Sequence, residues 1–158
     1  MDYAWRRAQI TEGTTSRLVT RRGSEMTASA QDCSIAVVGP CASGKSTLVR
    51  GLHERGYASA RLVPQEHSGV QSLWAWRGQP DVLIYLDAGV ETINRRQRRT
   101  DWTQDVLDEQ HDRLRTARQA CHLYLPTDDL TIPEVLEKVI DFLESWALQR
   151  ISDTTNFG

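Results

Sequence analysis

Apolar residues alternate along this chain between short unbroken runs and stretches with helical spacing. Ser34-Ile35-Ala36-Val37-Val38 is a short apolar run rich in β-branched side chains, the pattern of a buried parallel strand. Lys45 to Arg55 follows with Leu48, Val49 and Leu52 at helical spacing, and Gly56 stands where a helix cap belongs. Ala58 to Val63 predicts a second strand, stopped by Pro64, and Gln65 to Ser68 a polar loop. Val70 to Arg77 predicts a short helix or turn carrying Trp74 and Trp76. Pro80-Asp81 opens Val82-Leu83-Ile84-Tyr85-Leu86-Asp87, the strongest strand in the chain. Val90 to Arg99 predicts an arginine-rich helix. Thr103 to Ala120 predicts another, with Val106, Leu107, Leu114 and Ala117 on one face. Cys121 to Leu125 predicts a last short strand. Thr131-Ile132-Pro133-Glu134 is a capping box with an early proline, and it opens a terminal helix striped by Val135, Val139, Ile140, Leu143 and Trp146.

Strands alternating with helices predict an α/β fold of three layers, a small parallel sheet of about four strands with helices on both faces. Ligands of such sheets bind at the carboxyl ends of the strands. Residues 1–31 are rich in Ser, Thr, Gly and Arg and lack periodicity, so they are expected to form a flexible tail. Met26 offers an alternative start, and the Arg6-Arg7 and Arg21-Arg22 pairs fit either solvation or contact with nucleic acid or lipid. The folded domain is expected over 32–150, with 151–158 frayed.

Composition narrows the classes. The 158 residues suit one domain, and a net charge of −2 gives no overall pull toward nucleic acid. No apolar run approaches membrane-spanning length, and the first thirty residues lack a secretory apolar segment. Cys33, Cys41 and Cys121, and His53, His67, His111 and His122, show no disulfide or zinc spacing. A reduced, cytoplasmic setting is expected, with no membrane partner.

The chemistry concentrates in Gly39-Pro40-Cys41-Ala42-Ser43-Gly44-Lys45-Ser46-Thr47, which fits G-x-x-x-x-G-K-[ST] between a predicted strand and a predicted helix. In that context backbone N–H groups make an anion nest and the helix adds its positive dipole end. Gly39 and Gly44 permit backbone angles that a Cβ forbids. Lys45 is placed to reach the β- and γ-phosphates, and the Ser46 hydroxyl to ligate Mg²⁺. Lys45 and Lys138 are the lysines among 19 basic residues, so a chain that rarely uses Lys spends one here. The absence of N-K-x-D argues against a guanine-nucleotide switch.

Further candidates lie at the same predicted sheet edge. Asp87 ends the strongest strand, either to hold Mg²⁺ through water or to cap the next helix. Glu66 is a candidate base or metal-linked carboxylate, His67 a contact residue, or both belong to an ordinary polar turn. Arg95, Arg96, Arg98 and Arg99 cannot all face one ligand, since a helix turns about 100° per residue. Arg95 and Arg99 are taken as the phosphate clamps, against a wholly solvated face. Trp74 and Trp76 point to different sides, one toward the core and the other toward an acceptor pocket, or both pack.

With Gly39 to Thr47, Pro80 to Asp87 and Arg95-Arg96-Gln97-Arg98-Arg99 in view, Cys33 to Leu148 resembles the nucleoside and nucleotide kinase-like branch of P-loop proteins. It is also similar to small bacterial P-loop proteins of unassigned function. In that branch a P-D-h-h-h-Y-L-D strand precedes a lid helix with phosphate-clamping arginines. A closing strand and a terminal helix follow, here His122 to Asp128 and Pro133 onward. The chain departs from it between Ser68 and Pro80, where the longer acceptor-binding insertion and its acidic-Arg motif are missing. The resemblance implies an ATP-binding, Mg²⁺-dependent phosphotransferase acting on a small acceptor; the alternative is a nucleotide-binding module or slow ATPase working through a partner.

Overall fold

The computed structural model describes residues 29–156; the expected tail over 1–28 and the last two residues lie outside the described residues. The chain begins in a 3-10 turn, Ala30–Asp32, capped by the Ser29 hydroxyl accepting from the Gln31 N–H. Gln31 Nε2 donates to Arg55 O at 3.0 Å, so the folded part starts ahead of the expected boundary at 32.

β1 (Ile35–Val38) leads through the Gly39–Gly44 loop into α1 (Lys45–Glu54), which Gly56 ends at φ +94°. β2 (Ala60–Leu62) is shorter than expected, although Val63 N still donates to Val37 O at 3.0 Å. The expected polar loop is a 3-10 turn, Gln65–His67, and a second such turn spans Leu73–Ala75. β3 (Val82–Asp87) matches its expected span. α2 (Val90–Gln97) stops at Arg98, whose backbone is left-handed at φ +54°.

The single helix expected over Thr103 to Ala120 is two, α3 (Gln104–Arg113) and α4 (Arg115–Ala120). Leu114 breaks it, with φ −94° and ψ 0°, because its side chain is drawn completely into the core beneath the sheet. β4 (Leu123–Pro126) is an edge strand. α5 (Ile132–Thr155) opens with the expected capping box: Thr131 N donates to Glu134 Oε2 at 2.8 Å and Glu134 N to Thr131 Oγ1 at 3.3 Å. It continues through Thr155, past the expected end at 150.

The sheet has order β2-β1-β3-β4 with every pair parallel, and Ile35 lies beside both Ala60 and Val82. Alternation along each strand sends side chains to opposite faces. Ile35, Val37, Val82, Ile84 and Leu86 pack against Leu48 and Leu52 of α1 and Leu136, Val139 and Leu143 of α5. Ala36, Val38, Leu83 and Tyr85 pack against Leu114 and Ala117 on the other face. The fold is therefore a three-layer α/β fold with a four-stranded parallel sheet, as expected. Trp74 is buried in the second cluster, whereas Trp146 is only partly buried against the first. No described helix is long and apolar enough to cross a membrane.

Candidate functional site

The loop between β1 and α1 sits at the carboxyl edge of the sheet and is tightly constrained. A Cβ on Gly39 would lie 2.0 Å from Leu86 O, so the loop can cross β3 only with glycine there. Gly44, at φ +102°, turns the chain into α1. Ala42 also takes a left-handed backbone at φ +57°, which costs a non-glycine residue about 1–2 kcal/mol.

Lys45 curls over this loop. Its Nζ donates to Gly39 O and Pro40 O, each at 2.8 Å, and reaches Glu66 Oε1 at 2.9 Å. The lysine and glutamate side chains are 6% and 5% exposed, so this is a desolvated ion pair. Glu66 Oε2 is buried without a hydrogen-bond partner among the described residues. β2 is hydrogen-bonded directly beside β1, and that adjacency brings the turn after β2 against the loop. Gln65, wholly buried, locks the turn: its Nε2 donates to Val70 O and Arg113 O, and its Oε1 accepts from Trp74 N. His67 is 60% exposed at the rim. Its Nε2 lies 3.4 Å from Cys41 Sγ.

Two residues hold the loop from the side. Gln110 of α3 accepts from Cys41 N at 2.9 Å and donates to Cys41 Sγ at 3.3 Å. Arg96 donates to Ala42 O at 2.8 Å and to Thr127 Oγ1 and O at 3.0 and 2.6 Å. Burial pulls the Arg96 guanidinium below its usual value, and Asp128 opposes that shift. Thr127 Oγ1 in turn donates to Ser43 O or Asp87 O, at 3.0 Å each.

The arginines expected as clamps stand elsewhere. Arg99 forms a bidentate pair with Asp101 at the surface, and Arg95 lines a separate shallow opening with Gln104 and Asp128. Arg96 takes the position at the loop because it follows the buried Thr92 and Ile93 by one helical turn. Asp87, expected to hold Mg²⁺, is committed instead. Its Oδ1 meets His111 Nε2 at 3.0 Å and the Ala88 N–H at 2.9 Å, and its Oδ2 accepts from Tyr124 OH at 2.6 Å. The reason is strand alternation: Leu86 faces α1 and α5, so Asp87 shares the opposite face with Tyr85. Burial, reinforced by this hydrogen bond, pushes the Tyr124 phenol up to about 12. Trp76 is 77% exposed and does not line the opening in front of Lys45.

Two concavities meet over the loop. A wider opening of about 560 Å³ carries the charged Lys45 and Glu66 with Ser46 and His67, beside apolar Leu62 and Pro64. A more enclosed cavity of about 320 Å³ is lined mainly by apolar groups, including Leu48, Leu130, Ile132 and Val135. Gly44, Thr47 and Arg96 line both. The arrangement offers a cationic, N–H-rich end and an apolar end joined across the start of one helix. Gln110, Thr127 and Arg96 carry this geometry, and helical spacing marks two of them: Gln110 falls on the Leu107–Leu114 stripe and Arg96 on the Ile93 face. Compared with models of known protein families and with curated proteins, the chain matches none.

Proposed function

We propose that the protein binds ATP–Mg²⁺, with the phosphates in the Gly39–Thr47 loop and the base in the adjoining apolar cavity, and transfers the γ-phosphate to a small acceptor. The observation that carries this reading is the sharing of Gly44, Thr47 and Arg96 between the opening that holds Lys45 and the more enclosed apolar cavity. A nucleotide has the same division, a polyanion joined to a flat apolar base. Lys45 and the start of α1 supply positive potential at the anionic end. Arg96 stands at the junction, where its charge can follow that of a transferring phosphoryl group.

Mg²⁺ fits through Ser46, which lines the opening at the first turn of α1; Asp87 is engaged instead by Tyr124 and His111. When bound, the ion would neutralise phosphate charge and fix phosphate geometry. Glu66 lines the same opening, and its carboxylate keeps one oxygen without a hydrogen-bond partner among the described residues, which suits it to accept the proton of an acceptor hydroxyl or water. Three free cysteines support a reducing, cytoplasmic setting.

One feature favours the second reading, a slow ATPase that acts through a partner. The acceptor-binding insertion between Ser68 and Pro80 is missing, and this short segment leaves Val70 and Trp76 exposed. ADP release, measured with ATP–Mg²⁺ alone and with panels of nucleosides, sugars and other small alcohols, separates the two. Stimulation by one acceptor class supports transfer; a slow rate that no acceptor raises supports the ATPase.

A further inference from the structure

Beside the Lys45–Glu66 pair lies a group of side chains that phosphate chemistry does not call for. Cys41 Sγ, His67 Nε2 and a Glu66 carboxylate oxygen all lie within 4.8 Å of one another. The Sγ–Nε2 separation is 3.4 Å and the Nε2–Oε1 separation 3.7 Å. Zn–S bonds of about 2.3 Å and Zn–N or Zn–O bonds of about 2.0–2.2 Å place tetrahedral ligand atoms roughly 3.4–3.6 Å apart. The Sγ–Nε2 separation falls within that range and the Nε2–Oε1 separation just above it, so a small side-chain adjustment brings the three donors onto one zinc ion.

We propose that Cys41, His67 and Glu66 form a binding site for one borderline-soft divalent cation, with Zn²⁺ the ion whose chemistry fits. A thiolate, an imidazole and a carboxylate are the donor set such an ion selects, whereas Mg²⁺ prefers oxygen donors. Glu66 Oε1 faces both Lys45 and His67, at 2.9 and 3.7 Å, and Oε2 has no hydrogen-bond partner among the described residues, so the carboxylate has an oxygen to give the ion. The outer shell is in place as well. Gln110 Nε2 donates to Cys41 Sγ at 3.3 Å, which supports a thiolate, and Arg113 fixes the Glu66 backbone by donating to its carbonyl at 3.1 Å. His67 is exposed, so the ion has a path from solvent. On binding, Cys41 loses its thiol proton to water and the new bond is sulfur to metal, with no change of oxidation state. The fourth position stays open to water or an anion. An ion here takes the carboxylate that the proposed transfer uses, so metal-loaded and transfer-competent protein are different states.

The site stands on side-chain geometry and does not require the nucleotide reading. Its test is run on nucleotide-free full-length protein with Co²⁺, which replaces Zn²⁺ and absorbs light. The expected result is a one-to-one complex with a thiolate-to-cobalt band in the near ultraviolet, bleached by Zn²⁺. That band should vanish in Cys41→Ser, persist in Cys121→Ser, and need at least ~10-fold more Co²⁺ in His67→Ala. His67 is exposed, so its replacement leaves the fold intact and keeps the test valid even where Cys41→Ser fails to fold. No band, or a band that survives Cys41→Ser or needs no more Co²⁺ in His67→Ala, overturns the proposal.

Discussion

Lys45 Nζ and Glu66 Oε1 meet at 2.9 Å with both side chains almost wholly buried. The pair joins the first turn of α1 to the turn after β2, and it holds the lysine over the loop before any ligand arrives. Breaking a buried pair from one side leaves a stranded charge, which costs about 3–5 kcal/mol. Glu66→Ala should therefore lower unfolding free energy by about 3 kcal/mol or more. Glu66→Gln, which keeps a hydrogen-bonding oxygen, should cost less. Urea denaturation of the two variants checks the order, and an unperturbed Glu66→Ala would mean the pair contributes little.

Glu66→Gln also separates binding from chemistry. The amide cannot take a proton, so phosphoryl transfer or ATP hydrolysis should fall by about 100-fold or more. Affinity for ATP–Mg²⁺ should hold or rise, because a negative charge beside the phosphates is gone. Single-turnover rates alongside calorimetric affinities decide this, and a wild-type rate removes the base role.

Arg96 should stand apart from its neighbours. Loss of a donor aimed at developing charge costs about 2–4 kcal/mol in turnover, so Arg96→Ala should slow the reaction by at least tenfold. It should also loosen the loop, since it removes the hydrogen bonds to Ala42 and Thr127. Arg95→Ala, Arg98→Ala and Arg99→Ala should be near wild type. Single-turnover assays of the four variants test the assignment, and an Arg99→Ala defect as large as that of Arg96→Ala would reverse it.

Most of the layer architecture was legible in the sequence, and the reason is patterning. Buried parallel strands demand apolar runs, so β3 fell where Val82 to Asp87 predicted it and β1 within one residue of the Ser34 to Val38 expected. The glycine-loop motif located the start of α1, Gly56 its end, and the capping box the start of α5. The break at Leu114 was hidden, because leucine is a good helix former and only the tertiary pull of the core bends the chain there. At the candidate site, the loop residues and Glu66 were readable from motif and position. Which arginine of the cluster meets the loop was not legible, because cluster composition says nothing of facing direction, which the buried Thr92 and Ile93 fix. The partners of Asp87, His111 and Tyr124, were not legible, since strand alternation fixes its face only once the neighbouring helices are known.

Gln110 anchors the loop through both its amide oxygen and its nitrogen on Cys41. Gln110→Ala strands the Cys41 N–H at a part-buried position, a loss of about 1–3 kcal/mol. ATP–Mg²⁺ affinity should fall with it, because the anion nest depends on the loop's shape. Thermal unfolding and calorimetry measure both, and unchanged values would make Gln110 a bystander.

Alkaline pH should weaken the fold in a defined window. Burial first, and then Asp81, push the Cys33 thiol from 9.0 up to about 11. The folded state thus holds the thiol proton more tightly than the unfolded state does. Its contribution is complete below pH 9.0 and is lost as pH rises through about 11. Cys33→Ser, which does not titrate there, should flatten this part of the stability curve. Urea midpoints across the window give the answer, and identical slopes for both proteins would exclude Cys33 as the cause.

The most direct test of the account is calorimetric titration of ATP–Mg²⁺ into the wild-type protein and Lys45→Ala. The account predicts micromolar binding by the wild type and at least tenfold weaker binding by the variant, a loss of about 1.4 kcal/mol or more. Equal affinities, or no binding by the wild type, would contradict a phosphate site in the Gly39–Thr47 loop.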